Sequence, residues 1–223
     1  MRPEATGPSF GEFTFARTIY DSPYGSYRRR GMWAVDFPEA DNNLIVGLRE
    51  WAGTNLKIAP RPEQVPIMDD KLFDYPMIYF VEPGFLELSD EQAARLREYV
   101  ARGGFMFFDD FWGDYEWENL ETQLHKIWPD RQAKDLPLSH PVFHSYLDID
   151  EIVQVPNIMN ARRGGDTSEK GGIVPTTAEL KTRTAGWLFS FPSTAISATP
   201  GNGSTIPAIP RNTDCLPTRR RSM

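Results

Sequence analysis

Two short runs, Met77 to Val81 (MIYFV) and Phe105 to Phe108 (FMFF), are apolar at every position rather than at every second one. A strand has that pattern when both of its faces are covered, as in a parallel sheet layered with helices. Between them, Ala93, Leu96 and Val100 recur at helical spacing, with Arg95, Arg97, Glu98 and Arg102 turned elsewhere. Ser89 followed by Gln92 predicts a capping box, and Asp90 and Glu91 suit the positive end of the helix dipole. Gly103 predicts the helix stop. Strand, helix and strand in this order make a βαβ unit with a right-handed crossover. The pattern therefore predicts an α/β fold with a mostly parallel sheet.

The rest of the chain adds elements to that unit. Phe13 to Tyr20 (FTFARTIY) alternates and is expected to form the first strand. Leu44, Ile45, Leu48, Trp51 and Ala52 form the apolar face of a helix that Asp41 or Asn42 can cap. Residues 55 to 58 predict a short second strand, and Pro60, Pro62 and Pro66 then break regular structure. Glu116 to Ile127 predicts a further helix, stopped by Pro129. Residues 151 to 155 suggest an edge strand or extended segment, and 160 to 172 a mobile surface loop rich in glycine and charge.

Composition narrows the function classes. A chain of 223 residues suits one α/β domain, or one domain plus a tail. The net charge of −7 argues against a nucleic-acid partner. No apolar run approaches the roughly 18 residues of a membrane span. The opening MRPEATGPSFGEF has no apolar signal core, which makes a cytoplasmic location the default expectation. The lone Cys215 rules out an internal disulfide.

Candidate chemistry gathers where the apolar strands end. In open α/β sheets, ligands bind beyond the carboxyl ends of the strands. One such end holds Asp109 and Asp110, followed by Phe111, Trp112, Gly113, Asp114 and Tyr115; the neighbouring one holds Glu82. Adjacent side chains on extended backbone point to opposite faces, so one of Asp109 and Asp110 is expected to face the crevice and the other to cap a helix or pair with an arginine. The candidate ligand-binding residues are Asp109, Asp110, Glu82, Arg17, Arg30, Trp112 and His140, with Trp33 and Asp36 able to line the same crevice. Ion pairs and core packing are the plain structural alternatives for each. Arg28 to Arg30 read either as a solvated loop or as an anion-binding one. No cofactor is implied, although Asp110, His140 and His144 form an alternative set for a divalent metal. Two function classes stay open. One is a binding domain for a small polar ligand or a protein partner, favoured by aromatics expected to be exposed at Phe111, Trp112, Tyr115 and Trp117. The other is a carboxylate-dependent hydrolase acting on a carbohydrate-like substrate, with or without metal.

Several segments together resemble the bacterial family of the domain of unknown function numbered 4159. They are FTFARTIY, the WAVDFPEADNN run, YPMIYF, LREYVARGGFMFFDDFWG and LSHPVFHSYLDI, and the likeness spans about residues 12 to 174. The resemblance implies a three-layer, flavodoxin-like sheet similar to class I glutamine amidotransferase-like domains, and it allows export. Those enzymes set a nucleophilic Cys on the turn after a strand, whereas here Asp109 to Gly113 contains neither Cys nor Ser. Thiol glutaminase chemistry is therefore not expected.

Beyond Pro175 the character of the chain changes. Of its last 49 residues, 20 are Ser, Thr or Pro, and six Lys or Arg against two acids give this stretch +4, leaving −11 on residues 1 to 174. The expected organisation is thus a flexible N-terminus (1–11), an α/β domain (12–174) and a low-order tail (175–223). Family members continue to a motif close to N-x-D-x-G-D-A-W-E. Codons permitted for Ser193 to Gly203, read one base out of frame, give FNSDFGDAWER. A one-base frameshift near Gly172 to Thr177 accounts for both features, and would leave the domain without its last native elements.

Overall fold

The computed structural model describes residues 11–23, 30–52, 56–152, 157, 160, 162–165, 168–172, 175, 177–181 and 188–191. Its strands are β1 (Glu12–Phe13), β2 (Ala16–Ile19), β3 (Lys57–Ile58), β4 (Glu63–Pro66), β5 (Met77–Val81), β6 (Phe105–Asp109), β7 (Lys134–Asp135), β8 (Ala178–Glu179) and β9 (Leu188–Phe191). Its helices are α1 (Glu39–Ala52), α2 (Asp90–Ala101) and α3 (Gly113–Ile127). Among the described residues the main sheet runs β4-β2-β5-β6-β9-β8-β7, and β1 pairs with β3 beside it. Neighbours from β4 through β9 are parallel; β8 and β7 close the far edge antiparallel.

The unbroken apolar strands are explained by cores on both faces. Ile78, Phe80, Met106 and Phe108 point into one core, together with Ala93, Leu96 and Val100 of α2 and Leu120, Leu124 and Ile127 of α3. Tyr79 and Val81 point the other way, against Ile45, Leu44 and Leu48 of α1. The result is a mostly parallel α/β sheet between helical layers, consistent with a flavodoxin-like fold. The two strands stack ring on ring: Phe80 on Phe108 at 4.7 Å and Tyr79 on Phe107 at 5.7 Å between centroids. Ser89 and Gln92 form the capping box through both expected bonds, and Gly103 takes a φ of 98° after the helix.

Other elements differ from expectation. The first strand is split: residues 12–13 pair with β3, and only Ala16–Ile19 enter the main sheet. Asp41 does not cap α1. The helix begins at Glu39, and Asp41 turns inward to bond Arg17. Glu63–Pro66, where prolines suggested irregular chain, is an edge strand; Pro66 is tolerated at its end because an edge has a free side. Residues 141–144 form a single 3-10 turn. Strands β8 and β9 lie past residue 174, and β9 pairs with β6 from Met106↔Leu188 to Asp109↔Phe191. Residues 1–10, most of the 151–155 segment and residues 192–223 of the expected tail fall outside the described residues.

Candidate functional site

Parallel pairing of β5 with β6 ends at Val81↔Asp109, so the next residues of both strands leave the sheet side by side. Glu82 N donates to Asp109 O at 3.0 Å, which extends that pairing by one bond. The backbone then turns sharply at both exits. Glu82 has a φ of 50° and Asp110 of 61°, in the left-handed region. This conformation costs an ordinary L-residue roughly 1–2 kcal/mol. Buried hydrogen bonds enforce it. The Tyr20 hydroxyl is shared between Val81 O at 2.7 Å and Glu82 O at 2.8 Å. On the other strand, Asp109 accepts from Tyr79 Oη at 2.9 Å and from Asp110 N at 2.9 Å.

The two adjacent carboxylates therefore divide their roles. Asp109 is bound inward and shapes the strand end. Asp110, also buried, has different partners: its Oδ1 accepts from Trp112 Nε1 at 3.2 Å.

Two residues complete this crevice that were not singled out as candidates, Glu116 and Lys170. Glu116, only 1% exposed, sits in the first turn of α3 with its Oε2 accepting from Trp112 N at 2.7 Å. Its other oxygen accepts from Lys170 Nζ. Lys170 Nζ also lies 3.8 Å from Glu82 Oε2 and 4.7 Å from the centre of the Phe85 ring. Glu82 Oε2 is buried and makes no hydrogen bond among the described residues. The helix is fitted closely to the β5 exit: a Cβ on Gly84 would lie 2.4 Å from Glu116 Cβ. Further along the same stripe of α3, Asn119 donates to Gly84 O and Leu86 O, Gln123 accepts from Leu88 N, and Lys126 donates to Leu88 O.

This setting separates the proton affinities of the acids. Burial, then the nearby charge of Asp110, pushes Glu82 up to about 9, with Lys170 opposing the rise. Burial also raises Asp110 to about 6; the Trp112 bond holds it down, while Glu169 and Asp36 push it up. Burial alone would lower Lys170, but its bond to Glu116 and the charges of Glu82, Glu116 and Glu169 outweigh that and raise it. Both acids are thus held towards their protonated forms, Glu82 further than Asp110, while Lys170 is held towards its charged form.

The remaining candidates are dispersed. Arg17 is wholly buried and engaged internally. Its Nε meets Asp41 at 2.9 and 3.0 Å, its Nη2 bonds the same carboxylate, and its Nη1 donates to Trp33 O and Val35 O. Arg30 is exposed, and Tyr24 to Arg29 fall outside the described residues. His140 Nδ1 accepts from Val142 N, and its Nε2 lies 3.8 Å from Glu179. His144 is placed between Asp148 at 3.0 Å and Leu138 O at 2.9 Å. Asp110, His140 and His144 are not assembled: among the described residues no group of three or more His, Cys, Asp or Glu is placed to hold a metal ion.

The expectation of four exposed aromatics is corrected. Only Tyr115 is exposed; Phe111 and Trp112 are buried, and Phe111 stacks on Trp117 at 6.0 Å because the first turn of α3 packs into the core.

The model of the family described as Domain of unknown function (DUF4159) matches residues 14–188. The chain belongs to this family. No curated protein matches it. The match to this DUF4159 domain takes in every strand from β2 to β8 and so includes the whole carboxylate crevice. No helix among the described residues is long and apolar enough to cross a membrane.

Proposed function

We propose that this DUF4159 domain is a non-catalytic binding domain that takes a small polar, hydroxyl-rich ligand, such as a sugar, at the carboxyl ends of β5 and β6. The observation that carries this reading is the Glu82 carboxyl, buried beside Asp110 with one oxygen lacking a hydrogen-bond partner among the described residues. A protonated carboxyl donates and an ionised one accepts, so a hydroxyl group can satisfy both at once. Leaving such a group unpaired costs roughly 1–3 kcal/mol, which a ligand hydroxyl would recover. The test is ligand-observed NMR against a panel of monosaccharides, oligosaccharides and polyols, repeated with Glu82→Gln and Asp110→Asn. Binding that weakens roughly tenfold or more in Asp110→Asn supports the reading, tenfold being about 1.4 kcal/mol. Binding indifferent to both substitutions, or absent across the panel, refutes it.

A second reading, a carboxylate-dependent hydrolase, is favoured by the split between Glu82 at about 9 and Asp110 at about 6. Carboxyls held apart in this way suit acid and base roles. Turnover of a glycoside that disappears in Asp110→Asn, with folding intact, would select this reading over the first.

The same proposal includes an amidotransferase-like ancestry for the sheet and a one-base frameshift near Gly172 to Thr177. Resequencing the codons for Gly171 to Thr205 decides the shift. If a base is missing or extra, correcting it would restore the D-x-G-D-A-W-E carboxylates, and the binding panel should then be run on the restored chain. An intact reading frame would refute the shift.

A further inference from the structure

Residues 169–172 form a tight turn whose ends meet through Gly172 N donating to Glu169 O at 2.8 Å. Its two central residues, Lys170 and Gly171, have φ of 46° and 85°. Positive φ at both central positions defines a type I′ turn, which favours Asn-Gly or Gly-Gly. Lysine is an unfavourable choice for the first of these positions, because its Cβ is strained in the left-handed region. Its side chain explains the choice. From this turn the ammonium reaches Glu116, approaches Glu82 and lies over the Phe85 ring, while the side chain as a whole stays 42% exposed.

The turn is also seated by its backbone. A Cβ on Gly113 would come within 2.3 Å of Lys170 O, and one on Gly172 within 3.0 Å of Gly113 N and 3.1 Å of the Trp112 ring. Two glycines on opposite sides therefore permit the contact. Asn157 adds a hydrogen bond to Glu169.

We propose that the 169–172 turn is a latch, an autoinhibitory contact in which Lys170 closes the crevice over Glu82 and Glu116 until a ligand displaces it. This rests on reading the crevice as a ligand site, but its test needs no ligand. The logic is one of balance. Glu116 is buried and needs a cationic partner, so the closed state is favoured, because uncovering a buried charge without compensation is costly. The strained turn works against it and keeps the closed state from being too deep to open. A strain-free turn holding the same lysine would close more firmly; a strained turn without the lysine would have nothing to hold it.

The experiment is carboxyl footprinting of the full chain with a carbodiimide and glycine ethyl ester, read residue by residue by mass spectrometry. Exposed Glu91 serves as the internal reference. In the wild type, Glu82 and Glu116 should be modified far more slowly than Glu91. Lys170→Met keeps the stem and removes the charge; it should raise the rates at Glu82 and Glu116 roughly tenfold or more, the factor matching loss of one charge-assisted hydrogen bond. Gly113→Ala keeps every charge and dislodges the turn sterically, so it should raise both rates as well, and it stands in if Lys170→Met does not fold. Unchanged rates in a folded variant, judged by circular dichroism, overturn the latch. Faster labelling in both variants with no binding anywhere in the sugar panel would keep Lys170 as the group that covers Glu82 and Glu116 but overturn a sugar as the ligand that displaces it.

Discussion

Replacing Glu82 by Gln tests the electrostatics of the crevice through stability alone. The folded protein keeps a proton on Glu82 up to about 9, whereas the unfolded chain releases it near 4.5. Between those values the native state binds more protons than the unfolded one, so the contribution of this group to stability is complete below about 4.5 and declines as pH rises towards 9. The decline is about 1.4 kcal/mol for each pH unit inside the window. Glutamine mimics the protonated carboxyl and does not titrate. From pH 6 to pH 8, Glu82→Gln should therefore gain on the wild type by about 3 kcal/mol. At roughly 2–4 °C per kcal/mol for a chain of this size, the gap in Tm should widen by roughly 6–12 °C. Asp110 is common to both proteins, so its own titration near 6 largely cancels in the difference between them. Urea and thermal unfolding at three pH values between these limits measure the difference. A gap of constant size would refute the reasoning, because it would mean that Glu82 titrates near its ordinary value and is solvated.

Three further substitutions probe the supports of the crevice. Arg17→Met leaves Asp41 buried without its cation and should cost about 3–5 kcal/mol in urea unfolding, much of which Arg17→Met with Asp41→Leu should restore. Tyr79→Phe deprives buried Asp109 of one donor and should cost about 1–3 kcal/mol, with the Asp110 amide showing faster hydrogen exchange as its turn loosens. Gly84→Ala drives a methyl group against Glu116 at 2.4 Å and should cost about 1–3 kcal/mol, with a changed near-ultraviolet signal as α3 is displaced from the β5 exit.

The sheet was legible because its signals are local. MIYFV and FMFF state by composition alone that both faces are covered, and Ser89 and Gln92 cap α2 through bonds three residues apart. The strand ends carrying Glu82 and Asp110 followed from the same pattern. Glu116 and Lys170 were not legible, because they are 54 residues apart in sequence and meet only through the turn at 169–172. The pair Lys170-Gly171 gave a faint signal, a dipeptide ending in Gly at a turn, which the charge-rich loop around it concealed. Glu116 looked like any acid at a helix start, and only the close approach of Gly84 distinguishes it. Strand β4 was hidden by its prolines, which are compatible with an edge but not with the interior strand that a propensity argument assumes. Arg17 looked like a ligand-binding arginine, yet Asp41, one turn into α1, neutralises it within the core.

Four non-glycine residues among those described have positive φ: Asp36, Glu82, Asp110 and Lys170. They come from four separate places in the chain, and they act on one another. Asp36 and Lys170 shift Asp110, and Asp110 and Lys170 shift Glu82. At roughly 1–2 kcal/mol each, this is a substantial cost to gather around the carboxyl ends of two central strands. A purely structural ion network does not require it, since well-packed apolar residues in relaxed backbone would serve stability at least as well. The strain instead turns Glu82 and Asp110 out of the sheet at the ends of β5 and β6 and lets Lys170 reach Glu116. Backbone outliers persist where the surrounding structure over-determines them, and the surroundings here do so through Tyr20, Tyr79, Asp109 and the paired glycines 113 and 172. Support on that scale for so few side chains is the physical argument behind the site proposed at the carboxyl ends of β5 and β6, and it is independent of which ligand is proposed there.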